Sequence, residues 1–321
     1  MTRFAISFVL LHLASFTHAG MLDCGGLANS ADSAPDGYAE QCLNAAEPPA
    51  HAAATRALGA PGNIAYTLDM RGQAPRPANT LYSFTLSDFS TQTPIGQTQQ
   101  PSLFALDFSA DATTLYGISG SAADINPSTL FTIDPTTGAA TIVAGLSGLA
   151  AGDSATGLSI DPITDVAYFS AAGGSPATSR LYTLDLTTGA LTLIGQMTAP
   201  TDAAGTLFID IAISCQGRMY GHNISDDALY SIDVATGAGT QIGVHGLAAN
   251  FAQGMDFDHT DDTLYAFIYT GSGTNQFGTF DLDTGAFTPL VQNNPLGEFE
   301  GAIPSHCLSD DVFADGFESP L

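Results

Sequence analysis

Short apolar runs recur along the chain at a nearly constant interval. One series centres on Tyr66, Tyr116, Tyr168, Tyr220 and Tyr265, in the contexts A-Y-T-L, L-Y-G-I, A-Y-F-S, M-Y-G-H and L-Y-A-F. A second series lies between them: L-Y-S-F at Leu81, L-F-T-I-D at Leu130, L-Y-T-L-D at Leu181, L-Y-S-I-D at Leu229 and F-G-T-F-D at Phe277. Its members are 49, 51, 48 and 48 residues apart. A period near 50 built of short strands predicts one supersecondary unit copied five times. Such a unit buries its faces only by stacking on its neighbours.

Each repeat carries four strand signals. An inner strand reads A-L-D-F-S at Ala105, G-L-S-I-D at Gly157, D-I-A-I-S at Asp210 and G-M-D-F-D at Gly254. The tyrosine strand, the L-Y-T-L-D strand and a strand such as A-L-T-L-I-G at Ala190 follow in turn. Several are apolar on both faces, as in a sheet sandwiched between neighbours. Four-stranded sheets repeated radially predict an all-β fold, a five-bladed β-propeller. The first repeat lacks an inner strand, and the C-terminal end supplies a spare one at Glu300-Gly301-Ala302-Ile303. The expected closure therefore pairs Ala302 with the strand near Tyr66, which removes two exposed edges.

The turn between the third and fourth strands repeats as D-P-T-T-G at Asp134, D-L-T-T-G at Asp185, D-V-A-T-G at Asp233 and D-L-D-T-G at Asp281. Aspartate bonds to amides of the turn and glycine takes the left-handed position, so this is a folding signal.

The phrase Leu181 to Gly195, L-Y-T-L-D-L-T-T-G-A-L-T-L-I-G, resembles the repeat of uncharacterised exported bacterial β-propellers. The phrase Gly157 to Pro162 is similar to inner strands of NHL and YVTN-type propellers. The resemblance implies the fold over about residues 62–304. It implies no activity, because propellers host many chemistries. The tail D-V-F-A-D-G-F-E-S from Asp311 resembles short D-G-F-E tails of exported proteins in some gammaproteobacteria, which bears on export and source.

Residues 1–19 have the form of a signal peptide, with Arg3, an apolar stretch from Phe4 to Phe16 and a cleavage site at Ala19. A disulfide-tied arm is expected over 20–61, the propeller over 62–304 and an acidic tail over 305–321. No other segment reaches the roughly 18 apolar residues of a membrane span.

Of 321 residues, 6 are Lys or Arg, all arginine, and 32 are Asp or Glu, for a net charge of -26. Removing the signal takes Arg3 and leaves 5 against 32, or -27. That balance excludes nucleic acid, whose binding rests on cations at phosphates, and anionic membrane surfaces. In an oxidising compartment the even set of four cysteines predicts a bridge between Cys24 and Cys42. Cys215 and Cys307 follow equivalent inner strands and are either bridged near the axis or buried free thiols.

Candidate chemistry is sparse. Asp107 and Asp256 occupy equivalent inner-strand positions, with Ser159 between them in repeat order. Asp210, Glu298 and Glu300 are expected near the channel mouth. Several carboxylates facing one channel repel unless a cation or shared protons intervene. With Asp258 of the acidic run Asp256–Asp262, they make Asp107 and Asp256 a candidate Ca2+ site. The other reading of that run is a solvated hairpin turn. His222, His245, His259 and His306 sit in separate segments without zinc spacing. No G-x-S-x-G elbow, P-loop or dinucleotide fingerprint stands in its required setting. The expected function is an exported, non-catalytic binding or surface scaffold protein for an unidentified extracellular ligand or protein. The rival expectation is an exported metal-assisted hydrolase or lyase acting at the channel mouth.

Overall fold

The computed structural model describes residues 63–70, 72, 76–100, 103–123, 125–199, 205–250 and 253–307. The chain divides into units of residues 1–57 and 58–321, and every described residue belongs to the second. The signal peptide, the whole arm with Cys24 and Cys42, and the D-G-F-E tail lie outside the described residues.

Five antiparallel sheets of four strands make up the described chain, with no helix among the described residues. Blade 1 holds β1 (Ile64–Asp69), β2 (Thr80–Thr85) and β3 (Asp88–Gln97). Blade 2 holds β4 (Leu103–Phe108), β5 (Leu115–Ser119), β6 (Thr129–Ile133) and β7 (Ala140–Gly145). Blade 3 holds β8 (Ser154–Ile160), β9 (Ala167–Gly173), β10 (Thr178–Leu184) and β11 (Leu191–Gln196). Blade 4 holds β12 (Phe208–Ile213), β13 (Met219–Asn223), β14 (Ala228–Ile232) and β15 (Gly239–Val244). Blade 5 holds β16 (Met255–Asp258), β17 (Thr263–Gly271), β18 (Thr274–Phe280) and β19 (Phe287–Gln292). The last strand, β20 (Phe299–Ala302), returns to blade 1 and pairs antiparallel with β1, Ala302 opposite Tyr66 and Phe299 opposite Asp69. The expected closure is the observed one.

Burial follows position in the blade. Every residue of β12, β16 and β20 is buried. The outer strands β7, β11, β15 and β19 share one pattern, with two exposed residues at their second and third positions. Apolar clusters fill the spaces between successive sheets. One joins Leu68 and Leu81 of blade 1 to Leu106 and Phe131 of blade 2. Another joins Phe84 and Phe89 of blade 1 to Phe267 and Phe277 of blade 5. In the second cluster Phe89 stands 4.9 to 5.2 Å from four other rings, including Phe299 of the closing strand. Aromatic pairs at this range add about 0.5–1.5 kcal/mol each beyond burial.

The D-x-x-T-G turns do more than reverse the chain. Asp185 accepts N–H bonds from Thr187 at 2.8 Å and Thr188 at 3.0 Å, and the Thr187 hydroxyl at 2.6 Å. The Thr187 hydroxyl and these amides hold its carboxyl down to about 2. The turn also touches the preceding blade. A Cβ at Gly189, φ +69°, would stand 2.7 Å from Gly145 O. At Gly195 a Cβ would stand 2.2 Å from Thr236 O of the next turn, and Gly96 and Gly243 repeat the contact with Thr137 and Thr284. Parallel bridges between Ser147 and Ala190, and between Thr198 and Ala238, complete this outer joint.

Beyond β20, the chain crosses one end of the ring. Ser305 Oγ accepts from His259 N at 2.7 Å, and His306 Nδ1 donates to Ala110 O of blade 2 at 3.3 Å. Cys307 is disulfide-bonded to Cys215, just after β12, with Cα atoms 5.5 Å apart. Of the two states left open for this pair, the bridge is the one present. It spans 92 residues and holds the closing strand to blade 4. In the chain-entropy model a loop of that length is worth on the order of 4 kcal/mol.

Gly189→Val is expected to cost about 1–3 kcal/mol, because a β-branched residue is strained at positive φ and meets the carbonyl of blade 2. Chemical denaturation measures it. An unchanged midpoint would remove Gly189 from the inter-blade joint.

Candidate functional site: the axial carboxylates

The five inner strands neighbour one another in the order β4, β8, β12, β16, β20 and back to β4. Each has one edge paired inside its blade and one facing the axis. An edge of unpaired N–H groups in a narrow, largely buried channel is costly unless acceptors reach it. Three aspartates do so in one pattern. Asp107 accepts from its own neighbour Phe108 N and from Ile160 N of blade 3, both at 2.6 Å. Asp210 accepts from Ile211 N at 2.8 Å and from Met255 N of blade 5 at 2.6 Å. Asp256 accepts from Phe257 N at 2.7 Å and from Ile303 N, past the closing strand, at 2.6 Å. Each carboxylate thus satisfies two edge amides and clasps one blade to the next.

The remaining joints use other means. Between blades 3 and 4 the Ser179 hydroxyl donates to Thr206 O at 3.0 Å and accepts from Phe208 N at 2.9 Å. Between blades 1 and 2, Tyr66 packs on Phe108 with ring centroids 5.4 Å apart.

Register explains the two levels of acids. Asp107, Ser159, Ala212, Asp256 and Ala302 stand opposite the five repeat tyrosines. Asp210 and Glu300 lie two residues earlier on their strands, so they face the same way one level up. Glu300 is 1% exposed, and neither carboxylate oxygen has a hydrogen-bond partner.

Burial raises the proton affinity of all four acids. Asp107 is pushed up to about 7, against the opposing bonds from Ile160 and Phe108. Asp210 and Asp256 are raised well above the usual carboxylate range, by burial first and by each other's or Asp107's charge after it. Glu300 is raised by burial, then by Asp210 and Glu298. Asp210 and Glu300 belong to blades 4 and 1, which are not adjacent, so their fields meet across the axis.

The candidate trio Asp107, Asp256 and Asp258 is not gathered around one point. Asp107 and Asp256 are engaged in clasps to different blades. Asp258 accepts from Asn63 Nδ2 at 2.6 Å and from the Thr260 amide and hydroxyl at 3.0 and 2.6 Å. It borders a groove of about 270 Å³ with Ile303, Pro304 and Ser305. Among the described residues no three His, Cys, Asp or Glu side chains are arranged to hold a metal ion. The acidic run serves as a docking turn: Asp262 accepts from Cys215 N at 2.8 Å, and His259 Nε2 donates to Ile213 O at 2.9 Å.

A histidine pair escaped the sequence reading, because its members are 23 residues apart on separate segments. His222 and His245 are both buried, with their Nε2 atoms 2.8 Å apart. Leu247 N donates to His245 Nδ1, so His245 carries its proton on Nε2 and donates it to His222. Phe280 of blade 5 packs against both rings. Burial, and for His222 the second ring, hold both below the usual imidazole range, while Asp227 and Asp226 partly restore His245. The available signal was His222 itself, two residues after its tyrosine, where the equivalent positions hold Leu68, Ile118, Ser170 and Phe267.

The fold and its axial ring define a five-bladed β-propeller. The chain belongs to the family described as a repeat of unknown function, DUF6923, whose model matches residues 70–294. No curated protein matches it. Similar solved structures include a calcium-binding protein, regucalcin, from Agrobacterium tumefaciens, at 15% identity and TM-score 0.38, covering 67% of this chain and 66% of that one. Hydrazine synthase of Kuenenia stuttgartiensis matches at 17% identity and TM-score 0.37, over 60% of this chain and 49% of that one. TolB of Acinetobacter baumannii matches at 16% and 0.42, over 72% and 53%. The chain thus spans less than two thirds of the TolB and hydrazine synthase chains and just under two thirds of regucalcin. Likenesses at this level concern fold alone.

Two outcomes are expected. Asp107→Ala strips an acceptor from the Phe108 and Ile160 amides and should cost about 1–3 kcal/mol, whereas Ser159→Ala, at the same level without a clasp, should cost less. Equal losses on urea denaturation would remove the clasp. For the histidines, both native values lie below the unfolded one of about 6.5, so the folded state binds fewer protons. Their contribution is present above that pH and is lost as pH falls below it. In His222→Phe, thermal stability should therefore decline less than in the parent between about pH 7.5 and pH 5. Parallel pH profiles would show that the pair does not titrate on unfolding.

Proposed function

We propose that this protein is an exported, non-catalytic binding or scaffold module that engages an extracellular ligand or protein through one rim of the propeller. The observation that carries this reading is the asymmetry of the two ends. At the end crossed by residues 303–307, the connections are short and repeat one another: 109–114, 161–166 and 214–218 between first and second strands, and 134–139, 185–190, 233–238 and 281–286 between third and fourth. At the opposite end they differ in length and composition: 70–79, 120–128, 174–177, 224–227 and 272–273 within blades, and 98–102, 146–153, 197–207, 245–254 and 293–298 between them. Loops that vary on a rigid scaffold are where binding residues concentrate. Ile125 and Leu296 stand exposed on this variable rim.

Asp107, Asp210 and Asp256, three of the acids that favoured a metal-assisted hydrolase or lyase, are occupied in holding blades together, which supports binding through the rim. The Cys215–Cys307 bond supports an oxidising compartment and agrees with a signal peptide cleaved at Ala19. No helix among the described residues is long and apolar enough to cross a membrane.

Cross-linking of the mature protein in its own exported fraction tests the reading. One partner should be enriched by the parent and by Ile163→Asp at the opposite end, and lost in Ile125→Asp with Leu296→Asp. Retention by the rim variant would overturn the assignment of the rim. Turnover of ester, glycoside or polyuronate substrates that chelator abolishes would instead establish the enzyme.

A further inference from the structure

Among the described residues, the buried side-chain oxygens and nitrogens without a partner are Gln253 Oε1, Asn275 Oδ1, Glu300 Oε1 and Glu300 Oε2. All four are acceptors. None can be satisfied by another acceptor; each needs a hydrogen-bond donor or a cation. Gln253 Nε2 donates to Tyr269 O at 3.4 Å, and Asn275 is the register partner of Tyr269. Asn275 Nδ2 donates to Gly297 O at 3.3 Å, next to Glu298. A Cβ at Gly254, which follows Gln253, would stand 2.8 Å from Glu300 Cα. Gln253 and Asn275 thus lie where blade 5 meets the closing strand, which carries Glu300.

Glu300 stands apart from these two amides, on the opposite face of the closing strand, and is the charged group among the four. Phe299 and Gly301, on either side of it, turn toward Phe267 of blade 5, so Glu300 points the other way. Its register equivalent, Asp210, reaches the axial edge of the next strand. Unlike the three clasping aspartates, Glu300 accepts no backbone amide. A carboxylate nine-tenths buried without a donor is costly, and Asp210 and Glu298 add like charge to it. The end of the channel beyond Ala302 is crossed by residues 303–307, so the approach to Glu300 runs from the Glu298 side.

We propose that the axial channel holds one hard divalent cation of the Ca2+ class at Glu300, beside Asp210 and Glu298. Oxygen donors only, with no thiolate or imidazole in the set, select that class of ion. The carboxylates do not form a ready three-ligand cage, so waters or carbonyl oxygens complete the shell. The affinity belongs to the weak range of extracellular modules, about 10⁻⁴–10⁻³ M. The site differs from the Asp107, Asp256 and Asp258 set in having at its centre an acid whose oxygens accept no bond; Asp210 keeps its two amide bonds beside it.

The test is equilibrium dialysis of the full mature chain against radiolabelled Ca2+ at about physiological ionic strength, where surface carboxylates are screened. One ion should bind. Glu300→Gln, close in shape, should lose it, while Asp111→Asn on the exposed surface should keep it. Should Glu300→Gln fail to fold, Glu300→Asp, which keeps the charge with a shorter reach, should bind more weakly than the parent, and equal affinity overturns the proposal. No ion bound at about 10 mM Ca2+, ten times the weak limit, overturns the proposal. So does binding that survives Glu300→Gln, since it places the ion on the surface acids.

Discussion

A propeller of five blades leaves five strand edges facing one narrow axis, and their amides must be satisfied where little water reaches. Asp107, Asp210 and Asp256 meet that demand, each accepting one amide of its own strand and one of the next blade. The arrangement couples two problems that could have been solved separately, edge satisfaction and blade order. A charge-assisted bond of this kind contributes about 1.5–3 kcal/mol, and losing one partner strands a buried donor. The clasp from Asp256 to Ile303 also guards the ring closure, since Ile303 directly follows the strand that pairs with β1.

The outer circumference is held by a different device. There the repeated aspartate-to-glycine turn presses its backbone against the outer strand of the preceding blade, close enough that Gly189 and Gly195 have no room for a side chain. Inner and outer joints thus divide the work: charged acceptors at the axis, close backbone contact at the rim, and apolar clusters between.

Burial also governs the electrostatics of a chain with 32 acids and few cations. Arg180 reaches both oxygens of buried Asp153 at 2.7 and 2.8 Å, and Arg76 pairs with Asp69 at 3.0 Å while covering the Tyr82 ring at 3.8 Å. Elsewhere the interior limits charge through proton affinity, raising the axial acids and lowering the His222 and His245 rings. Asp134, Asp185, Asp233 and Asp281 of the repeated turns stay exposed and carry negative charge at the surface.

The repeat count, the four strands per unit and the closure of Ala302 on Tyr66 were legible in sequence, because strand periodicity and turn chemistry are local and here recur five and four times. The acids at Asp107 and Asp256 were legible as a set for the same reason. Their role was not, since a carboxylate's partner lies on the next blade, some 50 residues away, and only register and ring order bring Ile160 and Ile303 to it. The same holds for Cys215 with Cys307, for His222 with His245, and for the turn glycines as inter-blade contacts. Glu300 shows the limit most directly. On its strand it resembles Asp210, and what separates them is that the aspartate accepts two backbone amides and the glutamate none. Local pattern determines which residues line the axis; the tertiary structure decides which of them are left without a partner.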